Sequence, residues 1–242
     1  MNRPDRSTAS LAPPPTALLP GADGSDAARR IPLWLKIVYT GFMAVLIPIY
    51  WHQYGPTNFL YFCDVALFLL VAGIWTENRL LVSLPAVGIL LPQSLWVADF
   101  AVQLTGHQLS GMSGYMFDAY RSLFLRWLSL FHGWLPFLIV YLVWRLGYDR
   151  RAFPIWTALA WSLCLICYFL LPSAGAELAN PLTPHNVNYV FGFDDAQPQQ
   201  WMSAGAYLAA WMTVLLVVVF IPTHCLLRKW FDPDGRTKRA AS

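Results

Sequence analysis

Six separate runs of apolar residues, each about twenty positions long, punctuate this sequence, and they confine the chain to very few folds. At about 1.5 Å per residue, such a run coiled as a helix reaches across the roughly 30 Å hydrocarbon core of a bilayer. The runs are Ile31 to Tyr50, Thr57 to Trp75, Leu80 to about Gln103, Ser122 to Trp144, Phe153 to Leu171, and about Ser203 to Pro222. Pro85 and Pro92 are expected to bend the third, and Pro172 ends the fifth. Only 12% of the residues are charged and 57% are hydrophobic, against roughly a quarter charged in a soluble domain. Twelve tryptophans suit the bilayer interface, where an apolar ring and an N–H group each find a medium. The expected fold is all-α, a polytopic membrane bundle of six transmembrane helices over 31–222. A disordered cytoplasmic tail over 1–30 and a basic cytoplasmic tail over 223–242 flank it, and no soluble domain is left over.

Charge sets the expected orientation. Arg3, Arg6, Arg29, Arg30 and Lys36 precede or open the first run, while Arg228, Lys229, Arg236, Lys238 and Arg239 follow the sixth. Lys and Arg mark cytoplasmic segments, so both termini are expected there. Six crossings then require Arg79 and the Arg145 to Arg151 turn to be cytoplasmic too, which their charge satisfies. Arg121 and Arg126 fall on the outer side, and residues 172–202 contain neither Lys nor Arg. That outer loop, with Asn186, Asn188, Tyr189, Phe191, Gly192, Asp194 and Asp195, reads either as a lid that folds back or as a solvated linker. The expected location is a membrane, the bacterial cytoplasmic membrane, with lipids as the partners. A net charge of +3 gives no footing for nucleic acid.

The four cysteines, Cys63, Cys164, Cys167 and Cys225, lie in or beside apolar runs and suggest no disulfide framework. Cys164 and Cys167 fall inside an apolar helix and read as packing residues. No metal-ligand spacing and no phosphate-binding glycine loop is present, and no two histidines share a depth. No cofactor or metal is expected.

Ionisable residues inside apolar runs need a partner, a cavity or a function. Cys63 and Asp64 in the second run, Asp99 in the third, and Arg126 and His132 in the fourth all map to the outer half of the membrane. Helical spacing gathers Arg126, Ser129, His132, Gly133 and Pro136 on one stripe, Pro85, Gly88, Pro92 and Asp99 on another, and Thr57, Tyr61, Asp64 and Phe68 on a third. A polar pocket between the second, third and fourth helices is the simplest arrangement. Asp64, Asp99 and Arg126, with Ser129, are expected either to bind substrate or to form a structural ion-paired network, Asp99 meeting Arg126. Cys63 and His132 at similar depth have complementary chemistry: an imidazole takes a thiol proton, and a thiolate attacks an ester carbonyl.

The segment Asn58-Phe-Leu-Tyr-Phe-Cys63-Asp64-Val-Ala-Leu-Phe-Leu-Leu, the Pro- and Gly-containing third run and Phe131-His132-Gly133 in the fourth resemble the YwaF-like integral membrane proteins. Asn186-Val-Asn-Tyr189-Val-Phe and Pro222 look like further points of likeness, so that the resemblance covers about Thr57 to Pro222. It implies six spans and kinship with a eukaryotic transmembrane phospholipid acyltransferase and, remotely, with androgen-induced hydrolases of fatty acid esters. In the acyltransferase branch a cysteine of span two and a histidine of span four are catalytic; Cys63 and His132 occupy those positions here. Asp99, Arg126 and the His52-Gln-Tyr-Gly-Pro segment have no counterpart in that branch.

Two functions follow. One is a lipid acyltransferase or ester hydrolase, with His132 as general base, Cys63 as nucleophile, Arg126 drawing a phosphate and Asp64 orienting His132. The other is a non-catalytic small carrier or assembly factor, in which the same polar residues line a path or fix helix register.

Overall fold

In the computed structural model, residues 31–107, 109–119 and 121–231 are described, and among them all regular structure is helical. The expected tail over 1–30 and most of the tail over 223–242 lie outside the described residues. Five helices are long and apolar enough to cross a membrane. They are α1 (Leu33–Tyr54), α3 (Arg79–Gln103), the run Leu123–Leu146, α6 (Ala152–Leu170) and the run Ala204–Phe231. The second expected span, Thr57 to Trp75, holds a shorter helix, α2 (Phe62–Thr76), preceded by a 3₁₀ turn over Pro56–Leu60.

Local chemistry explains the irregularities. Gly55, at φ +81°, ends α1 in a conformation that glycine adopts without Cβ strain, and Pro56 then opens the 3₁₀ turn at its first position. Leu123–Leu146 is divided into α4 (Leu123–Ser129) and α5 (Phe131–Leu146) by a tightened turn. There Leu130 N–H donates to the Trp127 carbonyl at 3.2 Å, and Gly133 N–H to the Leu130 carbonyl at 2.9 Å. His132 lies on that turn. The last run divides into α7 (Ala204–Val214), a π-helical segment (Leu215–Phe220) and α8 (Ile221–Phe231). Pro222 lacks an N–H and crowds the carbonyl four residues back, which falls in the π segment, so the helix widens and continues to Phe231 where a stop at Pro222 was expected.

The α3 helix runs through the centre, packed against α2, α5, α6 and α8. Its residues 82–89 are buried on every side. Gly88 makes the closest approach: the Trp156 indole of α6 occupies the space a Cβ would need. Around α3 the core is filled by Leu67, Leu70 and Ile74 of α2, Leu135, Ile139 and Leu142 of α5, and Trp156 and Ala160 of α6, all fully buried. Trp34, Phe137, Leu170 and Val217 remain exposed on the outside of the bundle, where lipid is the natural solvent for them.

The two ends of the bundle differ. At one, Lys36 meets Glu77 at 2.7 Å, Asp149 N–H donates to Ser83, and Tyr148 N–H donates to the Phe231 carbonyl. Asp149 also holds Arg151 at 2.8 Å and faces Arg79 at 3.9 Å. The Arg151 guanidinium holds the Asp149 carboxyl below its ordinary range. At the other end the 172–202 loop folds back onto the helices, as the lid reading expected. Asn180 donates to the Gln53 carbonyl at 2.8 Å, and Asn188 reaches the start of α2.

Candidate functional site

The short helix α2 begins where the folded-back loop holds it. Asn188 grips both sides of Tyr61: its Nδ2 donates to the Leu60 carbonyl at 2.9 Å, and its Oδ1 accepts from Phe62 N–H at 3.0 Å. Asn188 and Asn186 adopt left-handed backbone, which asparagine tolerates better than most residues; Tyr189, at φ +60°, does not share that tolerance. Surrounding bonds hold it there. Trp211 Nε1 donates to the Asn188 carbonyl at 2.8 Å, and the Tyr207 hydroxyl donates to the Tyr189 carbonyl at 3.2 Å. The Asn186 amide donates to the Gly192 carbonyl and its oxygen accepts from Phe191 N–H, closing the loop on itself.

This clamp sets Cys63 and Asp64 in the first turn of α2. Asp64 is 3% exposed. The Cys63 thiol donates to Asp64 Oδ2 at 3.6 Å, and Asp64 Oδ1 has no hydrogen-bond partner. Tyr50, Tyr61, Tyr115 and Tyr189, drawn from four different segments, stand within electrostatic reach of Cys63. The Tyr50 hydroxyl donates to Ser129, which passes its own proton to the Leu125 carbonyl. Burial, with the nearby Asp195 carboxylate adding, pushes the Tyr189 hydroxyl up to about 12, so it stays protonated at neutral pH.

His132 faces the same region from α5. Its ring lies among Phe131, Trp96 and Tyr115, and its Nδ1 is 3.0 Å from Gln93 Oε1. An amide oxygen only accepts, so Nδ1 carries the proton and Nε2 keeps the lone pair. The orienting role expected of Asp64 thus belongs to Gln93. No hydrogen bond joins Cys63 to His132; the Tyr115 ring, 6.4 Å from the imidazole between centroids, stands near both.

Asp99 and Arg126, expected as a pair, turn to different partners. The Asp99 carboxylate accepts from Ser110 and Gly111 through Oδ1, and from the backbone and hydroxyl of Ser113 through Oδ2. Backbone N–H groups satisfy an anion as well as a cation does, so it serves as an anchor for the outer 104–122 loop. Arg126 donates to the Met116 carbonyl at 3.3 Å. The neighbouring Arg121 lies over the rings of Tyr54 and Tyr115 and donates to the Tyr54 hydroxyl at 3.2 Å. Of the sequence-derived set, Cys63, Asp64, Ser129 and His132 contribute to one cluster, Arg126 turns to the Met116 carbonyl, and Asp99 leaves the cluster.

Several buried polar atoms around this cluster have no partner among the described residues: Thr57 Oγ1, Asn58 Nδ2, Asp64 Oδ1, Arg126 Nε and His185 Nδ1. Most of them are donors. Unmade hydrogen bonds of this kind cost about 1–3 kcal/mol each unless water or a ligand fills them. Among the described residues no three His, Cys, Asp or Glu side chains gather as a metal site.

The apolar helices, with all regular structure among the described residues helical, define an integral membrane protein of the all-α class. Set against family models, curated proteins and solved structures, the chain matches none.

Proposed function

We propose that the protein crosses the membrane six times and acts on lipid esters, as an acyltransferase or hydrolase, with Cys63 as nucleophile and His132 as general base. The observation that carries this reading is the Gln93 contact, which fixes the His132 tautomer and leaves the lone pair on Nε2. A nucleophile, a base and a group that orients the base are the parts of covalent acyl transfer. The resemblance of the Cys63 and His132 segments to YwaF-like proteins supports the same roles. The partnerless donors nearby suit the oxygens of an ester or a phosphodiester.

For the second crossing, the 15 residues of α2 rise about 22 Å and the 3₁₀ turn adds about 10 Å, together enough for a bilayer core. The basic residues Lys36, Arg79, Arg145, Arg150, Arg151, Arg228 and Lys229 then share the cytoplasmic side with both termini.

In the reaction, the Cys63 S–H bond breaks as the sulfur attacks the acyl carbonyl of a lipid ester, the ester C–O bond breaks, and the lipid alcohol leaves carrying the thiol proton, giving a thioester. His132 Nε2 takes a proton from water or a second alcohol, whose oxygen attacks the thioester, and the thiol is restored. Purified protein in vesicles of acyl-labelled phospholipid tests this. Cys63→Ala and His132→Ala should each abolish release of the label to water or a second alcohol, and the double variant should lose no more, because residues serving one reaction are not additive.

One observation favours a second reading, a non-catalytic carrier or assembly factor: the Cys63 thiol turns to Asp64 and not to His132. Under that reading no label moves in the unaltered protein either.

A further inference from the structure

Among the described residues, the Cys63 thiol donates its hydrogen bond to Asp64 and not to His132. Cys63 donates to Asp64 Oδ2, while His132 is held from the far side of its ring by Gln93 and makes no hydrogen bond to the sulfur. Asp64 is nearly fully buried, and among the described residues its Oδ1 has no hydrogen-bond partner and no Lys, Arg or His forms a salt bridge with it. A carboxylate in such surroundings lacks the donors that ordinarily make it a weak base. A salt bridge or several N–H donors would hold it as an inert anion, as the 110–113 loop does for Asp99. The two intramembrane aspartates therefore differ in kind: one is saturated and structural, the other has an open oxygen and a thiol beside it.

We infer that Asp64 is a catalytic residue, the proton acceptor for Cys63 in forming the acyl-enzyme, and that His132 serves the second half of the reaction. This rests on the acyl-transfer reading above and divides its acid–base work. In the first half the Cys63 S–H bond breaks, its proton passes to Asp64 Oδ2, and the sulfur forms its bond to the acyl carbon. The ester C–O bond then breaks, and the departing alcohol oxygen takes the proton back from Asp64. In the second half His132 Nε2 removes the proton of the attacking water or alcohol, and the sulfur leaves the acyl carbon as the thiol, taking up that proton.

The p-nitrophenyl ester of a long-chain fatty acid separates the two halves. Its leaving group needs no proton, so one equivalent of nitrophenolate per chain reports acyl-enzyme formation, and a hydroxylamine-labile acyl group on Cys63 confirms it. Full-length protein in detergent micelles is compared with Asp64→Asn, Asp64→Glu, His132→Ala and Cys63→Ala, each checked for folding by size exclusion. The expected result is a burst in His132→Ala of unaltered amplitude, with the thioester accumulating because it no longer turns over. Asp64→Asn should slow the burst by roughly 100-fold or more, the usual worth of a positioned base, and Asp64→Glu should recover part of it. A folded His132→Ala variant without burst overturns the inference even if Asp64→Asn cannot be purified, as does an undiminished burst in Asp64→Asn. A burst that persists in Cys63→Ala overturns the acyl-transfer reading itself.

Discussion

At the residue scale, the candidate site depends on who neutralises whom. Asp64 and Asp99 look alike in sequence, each an acid in an apolar run, but one faces a thiol and the other a ring of N–H and hydroxyl donors. Sequence could place both in the outer half by helical rise; it could not show that residues 110–113 return to cap Asp99, because a loop's path is not periodic. The same limit hid Gln93, which meets His132 across 39 positions, and Asn188, which meets Leu60 across 128. A signal for Gln93 was available, since a primary amide deep in an apolar run needs a partner as an acid does. The Gly88 stripe was legible, and its cause is now specific. Gly88→Ala would drive a methyl group into the Trp156 indole and should destabilise by about 1–3 kcal/mol, the usual cost of overpacking, seen as a lower midpoint of thermal unfolding in detergent.

At the scale of elements, hydropathy located all the long helices because the bilayer demands about twenty apolar residues whatever their order. It placed the start of the second at Thr57, where the chain instead makes a 3₁₀ turn before α2 begins at Phe62. The clamp by Asn188 explains why that helix starts where it does. Asn188→Ala leaves the Leu60 carbonyl and Phe62 N–H without their partner and should cost on the order of 2 kcal/mol. It should also bring faster proteolysis at the 56–61 turn. Asp99→Ala should leave the helices in place but free the 104–122 loop, which limited proteolysis would cut there first. The Arg145 to Arg151 turn carries a pH signature. Asp149 has its carboxyl lowered chiefly by Arg151, so the stability it adds is present above the ordinary carboxylate value of about 3.9 and is lost as pH falls below it. Asp149→Asn should flatten the acid limb of the stability curve in that range.

At the scale of the whole molecule, the fold gathers polar side chains at one end of an apolar helical bundle. Apolar-faced helices enclose a polar cluster beneath a loop that is bonded to three of them, through Asn180 at α1, Asn188 at α2 and the Asn188 and Tyr189 carbonyls at α7. The basic turns around Lys36, Arg79 and Arg151 lie together at the end opposite this loop. Reporter fusions after residue 242 and within 145–151 should report cytoplasmic, and one within 172–202 external; an external reporter after residue 242 contradicts six crossings. The class of fold was therefore legible in the sequence, while the chemistry needed the contacts. The most direct test of that chemistry is peptide mass spectrometry on the protein after incubation in phospholipid vesicles and rapid acid quench. A single hydroxylamine-labile acyl group on Cys63, absent from Cys63→Ala together with all lipid turnover, is the predicted result. Lipid turnover that survives in Cys63→Ala, or an acyl group on another residue alone, would contradict it.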